Sequence, residues 1–335
     1  MAMRRVAWHP RPFPPRGAPR RPDGSQTPVT RRICAIDTDP GTDDAIALWF
    51  ALAAPELDLR LVTVAGGNAG LGRTLPNARA ILGLAGSAVP IVAGADRPLL
   101  GAFTPEARVH GVDGLAGVAL PEGPPAAPGI AADAIRALLR AEERVTLVGI
   151  GPATNIALAL ATEPALAARA EQIVLMTGAW GEGNITPGAE FNAWSDPEAL
   201  AIVLACGRPV TLVTLDLTAQ ALVTPDRVAA LRAAGGGACL DAAARILAAI
   251  PPSRRLGLRG VPLHDPCAVA WLIAPGLFTS RDVHAEVDCT RGPSRGRTVI
   301  DRWGRTGQAA NARLLETLDV EGFFTLLAER MTLLR

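Results

Sequence analysis

Four aspartates, Asp37, Asp39, Asp43 and Asp44, lie within eight residues near the start of the chain. Carboxylates packed this closely without a cation repel one another and raise one another's pKa. A hard divalent cation removes that cost, since Ca²⁺ and Mg²⁺ bind oxygen ligands and Ca²⁺ accepts roughly six to eight of them. Pro40-Gly41 predicts a tight turn that folds Asp39 back towards Asp44. The segment therefore predicts a metal-binding site.

Other interpretations of this segment explain less of it. An acid at the start of a helix is favoured by the unpaired N–H groups and by the helix dipole, which accounts for one or two acids but not four. Haloacid-dehalogenase phosphatases also place Asp-x-Asp after a first strand, but they need Thr or Val where this chain has Gly41. Glycosyltransferases bind a nucleotide-sugar's metal with Asp-x-Asp and do not need the Gly-Thr-Asp-Asp that follows here.

Short apolar strands alternate with Ala/Leu-rich helices on both sides of this segment. Strands are predicted at 33–37, 59–65, 91–93, 145–149, 173–177 and 210–215, with a strand pair near 283–301. Helices are predicted at 43–54, 72–85, 130–140, 152–161, 197–206, 225–250, 265–274 and from 319 onward. This alternation predicts βαβ units in one α/β domain, residues 33–335, with a mostly parallel central sheet. Because the strands are apolar on both faces, helices are expected on both faces of the sheet.

The polar segments of interest follow directly after predicted strands. They are residues 37–44, 66–68, 149–151 and 178–192. In parallel sheets of this kind, ligands bind beyond the carboxyl ends of the strands. The four segments are therefore expected to converge on one site.

Composition restricts the remaining function classes. Residues 1–32 are rich in Pro and Arg and carry eight arginines against one acid, which predicts a disordered tail; a targeting segment or a miscalled start are the alternatives. Basic residues elsewhere are scattered, which argues against a nucleic-acid surface. No apolar run approaches the roughly 18 residues of a membrane span. The five widely spaced cysteines favour reduced thiols in a cytoplasmic protein.

The segment Asp37-Thr38-Asp39-Pro40-Gly41-Thr42-Asp43-Asp44 resembles the N-terminal signature of the nucleoside hydrolase family, of the inosine–uridine type. The likeness extends over about residues 33–330 and continues, in order, through Gly67-Asn68, His110-Gly111, Gly151-Pro152-Ala153-Thr154-Asn155, Val174-Leu175-Met176, Glu190-Phe191-Asn192, Asp196-Pro197-Glu198 and His264-Asp265-Pro266-Cys267-Ala268. It implies a Rossmann-like nucleoside hydrolase fold and hydrolysis of ribonucleosides to free base and ribose. The alternatives are a hydrolase of another N-riboside, such as a nicotinamide or modified nucleoside, and a non-catalytic nucleoside-binding protein.

The resemblance also implies a bound Ca²⁺ and the residues that hold it. Carboxylates of Asp39, Asp44 and Asp265 and the backbone carbonyl of Ile150 are the expected ligands. Asp39 is also the expected general base towards a metal-bound water. His264 matches the family histidine that is proposed to protonate the leaving base. His264-Asp265-Pro266 also fits the start of a helix.

The remaining expectations concern the substrate. The ribose is expected to contact Asp43, Asn68, Met176, Asn184, Glu190 and Asn192. Candidates for the base pocket are His110, Trp180 and Trp194, and Asp37 is expected to support the metal ligands from behind.

The choice between purine and pyrimidine stays open. The chain has no Tyr, although some family members place Tyr residues before the His-Asp-Pro motif, where this chain has residues 250–255. Family members are usually homodimers or homotetramers, and the same is expected here.

Overall fold

The computed structural model describes residues 31–105, 110–253, 256–257 and 259–334. Within them the strands are β1 Arg32–Thr38, β2 Leu57–Val64, β3 Ile91–Ala93, β4 Val145–Gly149, β5 Ala170–Met176, β6 Val210–Val213, β7 Leu222–Val223, β8 Val261–Pro262, β9 Phe278–Val287, β10 Thr298–Asp301 and β11 Ala312–Leu318. The α-helices are α1 Thr42–Ala53, α2 Leu71–Leu84, α3 Ala131–Ala141, α4 Thr154–Thr162, α5 Phe191–Ser195, α6 Pro197–Leu204, α7 Leu215–Thr218, α8 Pro225–Ala233, α9 Ala238–Ala249, α10 Asp265–Ile273 and α11 Val320–Met331. Short 3₁₀ helices span Pro164–Arg169 and Pro275–Leu277.

Nine of these strands form one sheet in the order β10-β9-β11-β6-β5-β4-β1-β2-β3. The pairings from β3 across to β11 are parallel, and β9 is antiparallel to both of its neighbours. The mostly parallel sheet is therefore confirmed. The strand order reverses between β1 and β4, because the chain passes from β1 outward to β3 and then returns to the other side of β1. Such a switch point opens a crevice at the carboxyl ends of the strands.

The hydrophobic core lies in two layers on opposite faces of the sheet. Alternate residues of β1 belong to different layers, with Cys34 and Ile36 in one and Ala35 in the other. The first layer packs against α1, α2, α9, α10 and α11, and the second against α3, α4 and α6. This explains why the strands are apolar on both faces, since successive side chains point to opposite sides.

Some boundaries differ from the prediction. The predicted tail ended at residue 32, but β1 begins at Arg32, whose backbone N–H donates to the carbonyl of Glu56 at 2.8 Å. Residues 1–30 lie outside the described residues. The predicted helical region 225–250 is two helices, because Gly235-Gly236-Gly237 separates them and Gly235 has a φ of +70°. The prediction missed β11, the short helices α5 and α7, and the β7–β8 pair.

No helix in the described ranges is long and apolar enough to cross a membrane.

Candidate active site

A cavity of about 370 Å³ opens at the carboxyl ends of the central strands. The predicted site residues that border it are Asp43, Asn68, His110, Ile150, Met176, Asn184, Glu190, Asn192, His264 and Asp265. Residues from distant segments of the chain thus meet where the strand order reverses. A larger depression of about 860 Å³ lies elsewhere, between the first 3₁₀ helix, α6 and β9, and six of its fifteen lining residues are alanines.

We call Asp39, Asp43, Asp44 and Asp265 the carboxylate cluster. Asp43 and Asp265 border the cavity, whereas Asp39 and Asp44 are fully buried and are not among its lining residues. Asp43, Asp44 and Asp265 each offer an oxygen, and these oxygens lie within 4.8 Å of one another. Asp39 adjoins this trio, since its backbone N–H donates to Asp44 Oδ1 at 3.3 Å. The structure thus joins Asp265 to the N-terminal aspartates and also brings Asp43, a predicted ribose contact, next to the predicted metal ligands.

The local fold of the 37–44 segment accounts for the cluster. Gly41 is the N-cap residue of α1, and its backbone N–H donates to Asp44 Oδ2 at 2.8 Å. The Thr38 hydroxyl donates to Asp44 Oδ1 at 2.5 Å. Asp44 therefore caps α1, as the simpler interpretation of the segment proposed. The cap involves only this member of the carboxylate cluster and does not explain why Asp39, Asp43 and Asp265 lie beside it.

Burial of these carboxylates is electrostatically unfavourable. Asp39 and Asp44 are 0% exposed. Burial, followed by repulsion from Asp44, raises the pKa of Asp39 well above its usual value. Burial and then Asp43 raise the pKa of Asp265 in the same way. Because a bound divalent cation stabilises the ionised forms, this donor set fits a hard metal ion.

Asp39 offers an oxygen that the protein leaves unsatisfied. Its Oδ2 accepts the backbone N–H of Asn68 at 2.6 Å. Its Oδ1 is buried and has no hydrogen-bond partner among the described residues. An orphaned buried carboxylate oxygen is costly, and a cation or an ordered water is the partner that such an atom needs.

Two glycines that the prediction did not single out as site residues make room for Asp39. A Cβ at Gly151 would lie 2.5 Å from Asp39 Oδ1, and one at Gly67 would collide with Asp39 Oδ2. Gly151 follows β4 and Gly67 follows β2. Their position just after strands of the sheet was visible in the sequence, but the close approach to Asp39 was not.

Asp37 is buried and does not border the cavity. Its Oδ1 accepts the Thr63 hydroxyl at 2.6 Å and the Asn155 side-chain amide at 2.8 Å. Burial raises the pKa of Asp37 to about 7. Its contacts with β2 and α4 are those of a supporting residue.

Amide side chains link the cluster to the rest of the cavity. Asn68 Nδ2 donates to Asp44 Oδ2 at 3.1 Å. Asn192 Nδ2 donates to the carbonyls of Ile150 at 3.2 Å and Met176 at 3.0 Å. The Ile150 carbonyl, a predicted metal ligand, is therefore close to a predicted ribose contact.

Glu190 and Asn184 shape the segment that carries them. Glu190 caps α5 and accepts the backbone N–H groups of Asn192, Ala193 and Gly178 at 2.8–2.9 Å. Asn184 Oδ1 accepts the backbone N–H of Phe191 at 2.9 Å. Burial raises the pKa of Glu190, and these hydrogen bonds oppose that shift. Both side chains border the cavity while they also fix the fold of its wall.

Two histidines border the cavity. His264 precedes α10, and its backbone N–H donates to Asp43 Oδ2 at 3.3 Å. His110 Nδ1 lies 3.2 Å from the backbone nitrogen of Thr42 and 3.0 Å from its hydroxyl. The contact to a backbone N–H makes this nitrogen an acceptor, which leaves the proton of a neutral ring on Nε2.

Trp180 and Trp194, the two tryptophan candidates for the base pocket, are not among the residues that border the cavity. The Trp180 ring stacks on the guanidinium of Arg302 with a separation of 4.0 Å. Trp194 lines a separate cavity of about 270 Å³. One side of the cavity lining is formed instead by aliphatic side chains, which we call the apolar wall: residues 250–252, 256 and 261–263. Residues 254 and 255 of the predicted base-pocket region lie outside the described residues.

Comparison with known proteins places this geometry in a family. Residues 34–325 match the model of the family described as inosine-uridine preferring nucleoside hydrolase. The chain is 42% identical over 308 residues to the pyrimidine-specific ribonucleoside hydrolase RihA of Shewanella woodyi, covering 90% of this chain and 98% of the relative. It is also 42% identical over 302 residues to the non-specific ribonucleoside hydrolase RihC of Escherichia coli O9:H4, covering 89% and 97%.

Solved structures agree with this assignment. The purine-preferring ribonucleoside hydrolase from Gardnerella vaginalis superposes with a TM-score of 0.83 at 30% identity, covering 90% of this chain and 98% of that protein. An inosine-guanosine nucleoside hydrolase superposes with a TM-score of 0.81 at 28% identity, covering 90% and 99%.

Proposed function

The chain belongs to the inosine-uridine preferring nucleoside hydrolase family and hydrolyses the N-glycosidic bond of ribonucleosides, and we propose that it does so with Ca²⁺ bound at the carboxylate cluster. Asp39, Asp44 and Asp265 would hold the ion, together with the Ile150 carbonyl. The single observation that carries this proposal is the buried, unpartnered Oδ1 of Asp39 beside the Asp43–Asp44–Asp265 trio. When bound, the cation lowers the pKa of a water molecule and orients it for attack.

Asp39 is the general base in this proposal. The hydrogen bond from the Asn68 N–H fixes Oδ2, so the orientation of the carboxylate is set before substrate binds. The water adds to C1′ of the ribose and loses its proton to Asp39.

The predicted ribose contacts stabilise positive charge on the sugar. Asp43, Asn68, Asn184, Glu190 and Asn192 border the cavity with carboxylate and amide side chains, and Met176 adds an apolar surface. Cleavage of a glycosidic bond passes through an oxocarbenium-like sugar. Fixed negative and dipolar groups favour that charge over the neutral ground state.

His264 is the proposed acid for the leaving base. It borders the cavity, and its backbone N–H donates to Asp43, a proposed ribose contact. The C1′–N bond breaks with its electron pair on the base, and a base nitrogen takes the proton from the imidazole.

The experiment that tests these roles is release of free base from a panel of nucleosides, with and without a chelator and added Ca²⁺. The panel includes nicotinamide riboside and modified nucleosides, which the alternative N-riboside hydrolase would prefer. Asp39→Asn is expected to lower kcat by at least about 10³-fold, because it removes the base and a metal ligand together. Calcium is also expected to raise the unfolding temperature of the wild type more than that of Asp39→Asn.

Asp58→Asn serves as the control, since Asp58 pairs with Arg60 at the surface and lies outside the cavity. It is expected to keep the activity and the calcium-dependent stabilisation of the wild type. Near-normal turnover by Asp39→Asn, or full activity after exhaustive chelation, would overturn the mechanism.

We also propose that the substrates include pyrimidine ribonucleosides. Of the two relatives, one is named a pyrimidine-specific and the other a non-specific ribonucleoside hydrolase. The apolar wall of the cavity has aliphatic rather than tryptophan side chains. Uridine and cytidine are therefore expected among the hydrolysed compounds, and a panel in which only purine nucleosides release base would contradict this.

A homodimer or homotetramer in the cytoplasm completes the proposal. Support for the compartment comes from the five cysteines, all within the described residues and all free thiols. Light scattering at several protein concentrations measures the oligomeric state, and a monomer at all of them would contradict it.

A further inference from the structure

The imidazole of His264 is held by a residue outside the cavity lining. Thr218 Oγ1 lies 2.6 Å from His264 Nδ1. Thr218 is fully buried, whereas His264 borders the cavity. Since the backbone N–H of His264 also donates to Asp43, His264 is fixed both at its backbone and at its ring.

The fold brings Thr218 to this ring through two neighbouring segments. Thr218 ends the short helix α7, and its N–H donates to the Thr214 carbonyl at 3.0 Å. The chain then enters β7, which pairs with β8 just before His264. The Leu263 N–H donates to the Ala221 carbonyl at 2.9 Å and continues this pairing. The two segments therefore run side by side, and their register sets the Thr218–His264 contact.

We propose that the Thr218 hydroxyl is a positioning group that fixes the His264 ring so that its Nε2 meets the departing base. The proposal rests on the role of His264 as the acid. Thr218 does not border the cavity, so it acts on substrate only through His264. A hydroxyl both donates and accepts, so the contact to Nδ1 persists in either tautomer of the ring.

Valine matches the shape of threonine but cannot hydrogen-bond to Nδ1. Thr218→Val therefore removes this hydrogen bond to the ring and leaves the packing nearly unchanged. Thr214 offers a matched control one helical turn earlier, because it is also fully buried while its hydroxyl has no partner within the described part of the chain. Replacing an unpartnered buried hydroxyl with a methyl group is neutral or mildly stabilising.

The test compares two leaving groups in Thr218→Val, Thr218→Ser, Thr214→Val and His264→Ala. Uridine needs its base protonated, whereas the nitrophenolate of 4-nitrophenyl β-D-ribofuranoside departs without a proton. Thr218→Val is expected to lower kcat for uridine by roughly 10- to 100-fold through misplacement of the acid, with KM nearly unchanged. Hydrolysis of the nitrophenyl riboside is expected to stay within about 2-fold of the wild type, because it bypasses the acid.

Thr218→Ser keeps the hydroxyl and is expected to retain most of the uridine activity, as is Thr214→Val. The double variant Thr218→Val/His264→Ala is expected to hydrolyse uridine no more slowly than His264→Ala alone, because both changes remove the same function, protonation of the leaving base by His264. Thr218→Ala, which fits in less space, replaces Thr218→Val if that variant unfolds.

The outcomes separate this inference from the proposal on which it rests. If His264→Ala loses uridine activity selectively but Thr218→Val and Thr218→Ala do not, the positioning role alone is wrong. Equal losses on both substrates in the Thr218 variants would reveal a general structural role and would also overturn it. If His264→Ala itself shows no selectivity, the acid assignment fails and the positioning role fails with it.

Discussion

The carboxylate cluster reaches the cavity through Asp43 and Asp265, and the apolar wall borders the same cavity, but the chain builds the two in different ways. Three of the four cluster residues come from one eight-residue segment that joins β1 to α1. Residues after β2 and β4 contact this segment closely and hold it in place. The wall is formed by the connection from α9 to α10, which contains the two-residue strand β8.

The difference teaches where the site tolerates change. At the cluster, backbone hydrogen bonds fix the carboxylates of Asp39 and Asp44, and two glycines approach Asp39 closely, so small displacements affect chemistry. At the wall, aliphatic side chains present apolar surface without directional contacts, so substitutions alter binding gradually. Variation on a rigid catalytic scaffold is expected to change base preference before it changes the reaction.

Among the changes that test this contrast, the largest effect is expected from a single methyl group added beside the cluster. Gly151→Ala would place a Cβ 2.5 Å from Asp39 Oδ1, so the carboxylate must move to avoid the clash. Because its Oδ2 accepts the backbone N–H of Asn68, this movement also disturbs that hydrogen bond. We expect kcat to fall by roughly 100-fold or more, because displacing a reacting group by about 1 Å can cost about that much in rate. Steady-state kinetics with uridine measure the loss.

Gly72→Ala is the matched control, because Gly72 is exposed in α2 and a Cβ there meets nothing within 4 Å. Activity should be unchanged, and the free energy of unfolding should rise by about 0.5–1 kcal/mol, since alanine favours a helix more than glycine does. Wild-type turnover in Gly151→Ala would show that the cluster is more plastic than its hydrogen bonds indicate.

A smaller effect is expected at the apolar wall. Leu256 borders the cavity, and Leu256→Ala removes aliphatic surface that a bound base would cover. We expect KM to rise by roughly 3- to 10-fold with kcat nearly unchanged, because this surface contacts ground state and transition state equally. The ratio of kcat/KM for uridine and inosine is the measurement that detects a change in base preference.

Leu333→Ala controls for this prediction, since Leu333 is 57% exposed near the C-terminus and lies outside the cavity. It should leave KM unchanged. A large fall in kcat for Leu256→Ala would mean that the wall positions the substrate for chemistry, which would remove the contrast with the cluster.

The same contrast explains how far the sequence predicted the structure. Asp39, Asp43 and Asp44 were recognisable because a local turn and a strand end determine their proximity. Asp265 was placed with them only by family resemblance, since no local rule links residues more than 200 positions apart. The alternating apolar pattern predicted the parallel sheet, but β11 was missed because its sequence, Ala-Arg-Leu-Leu-Glu-Thr-Leu, is equally compatible with a helix.

The contacts of the base pocket were the least predictable part. Trp180 and Trp194 flank the Glu190 segment in the sequence, and this neighbourhood suggested that they stack on the base. In the structure, the loop after β5 turns Trp180 outward, where the carboxylate of Asp216 accepts its backbone N–H at 2.8 Å. Sequence proximity to a site residue does not determine the direction of a side chain in a loop.

The smallest effect is therefore expected at Trp180. Trp180→Ala removes the stacking on Arg302, which contributes about 0.5–1 kcal/mol at an exposed position. Arg302 keeps its ion pair with Glu316 at 2.7 Å, so the loss of stability stays small. The ratio of uridine to inosine kcat/KM should change by less than about 2-fold, because a residue outside the cavity does not contact the base. A change well beyond that range would show that Trp180 reaches the base in the complex, and the distinction between a fixed cluster and an aliphatic base wall would then have to be withdrawn.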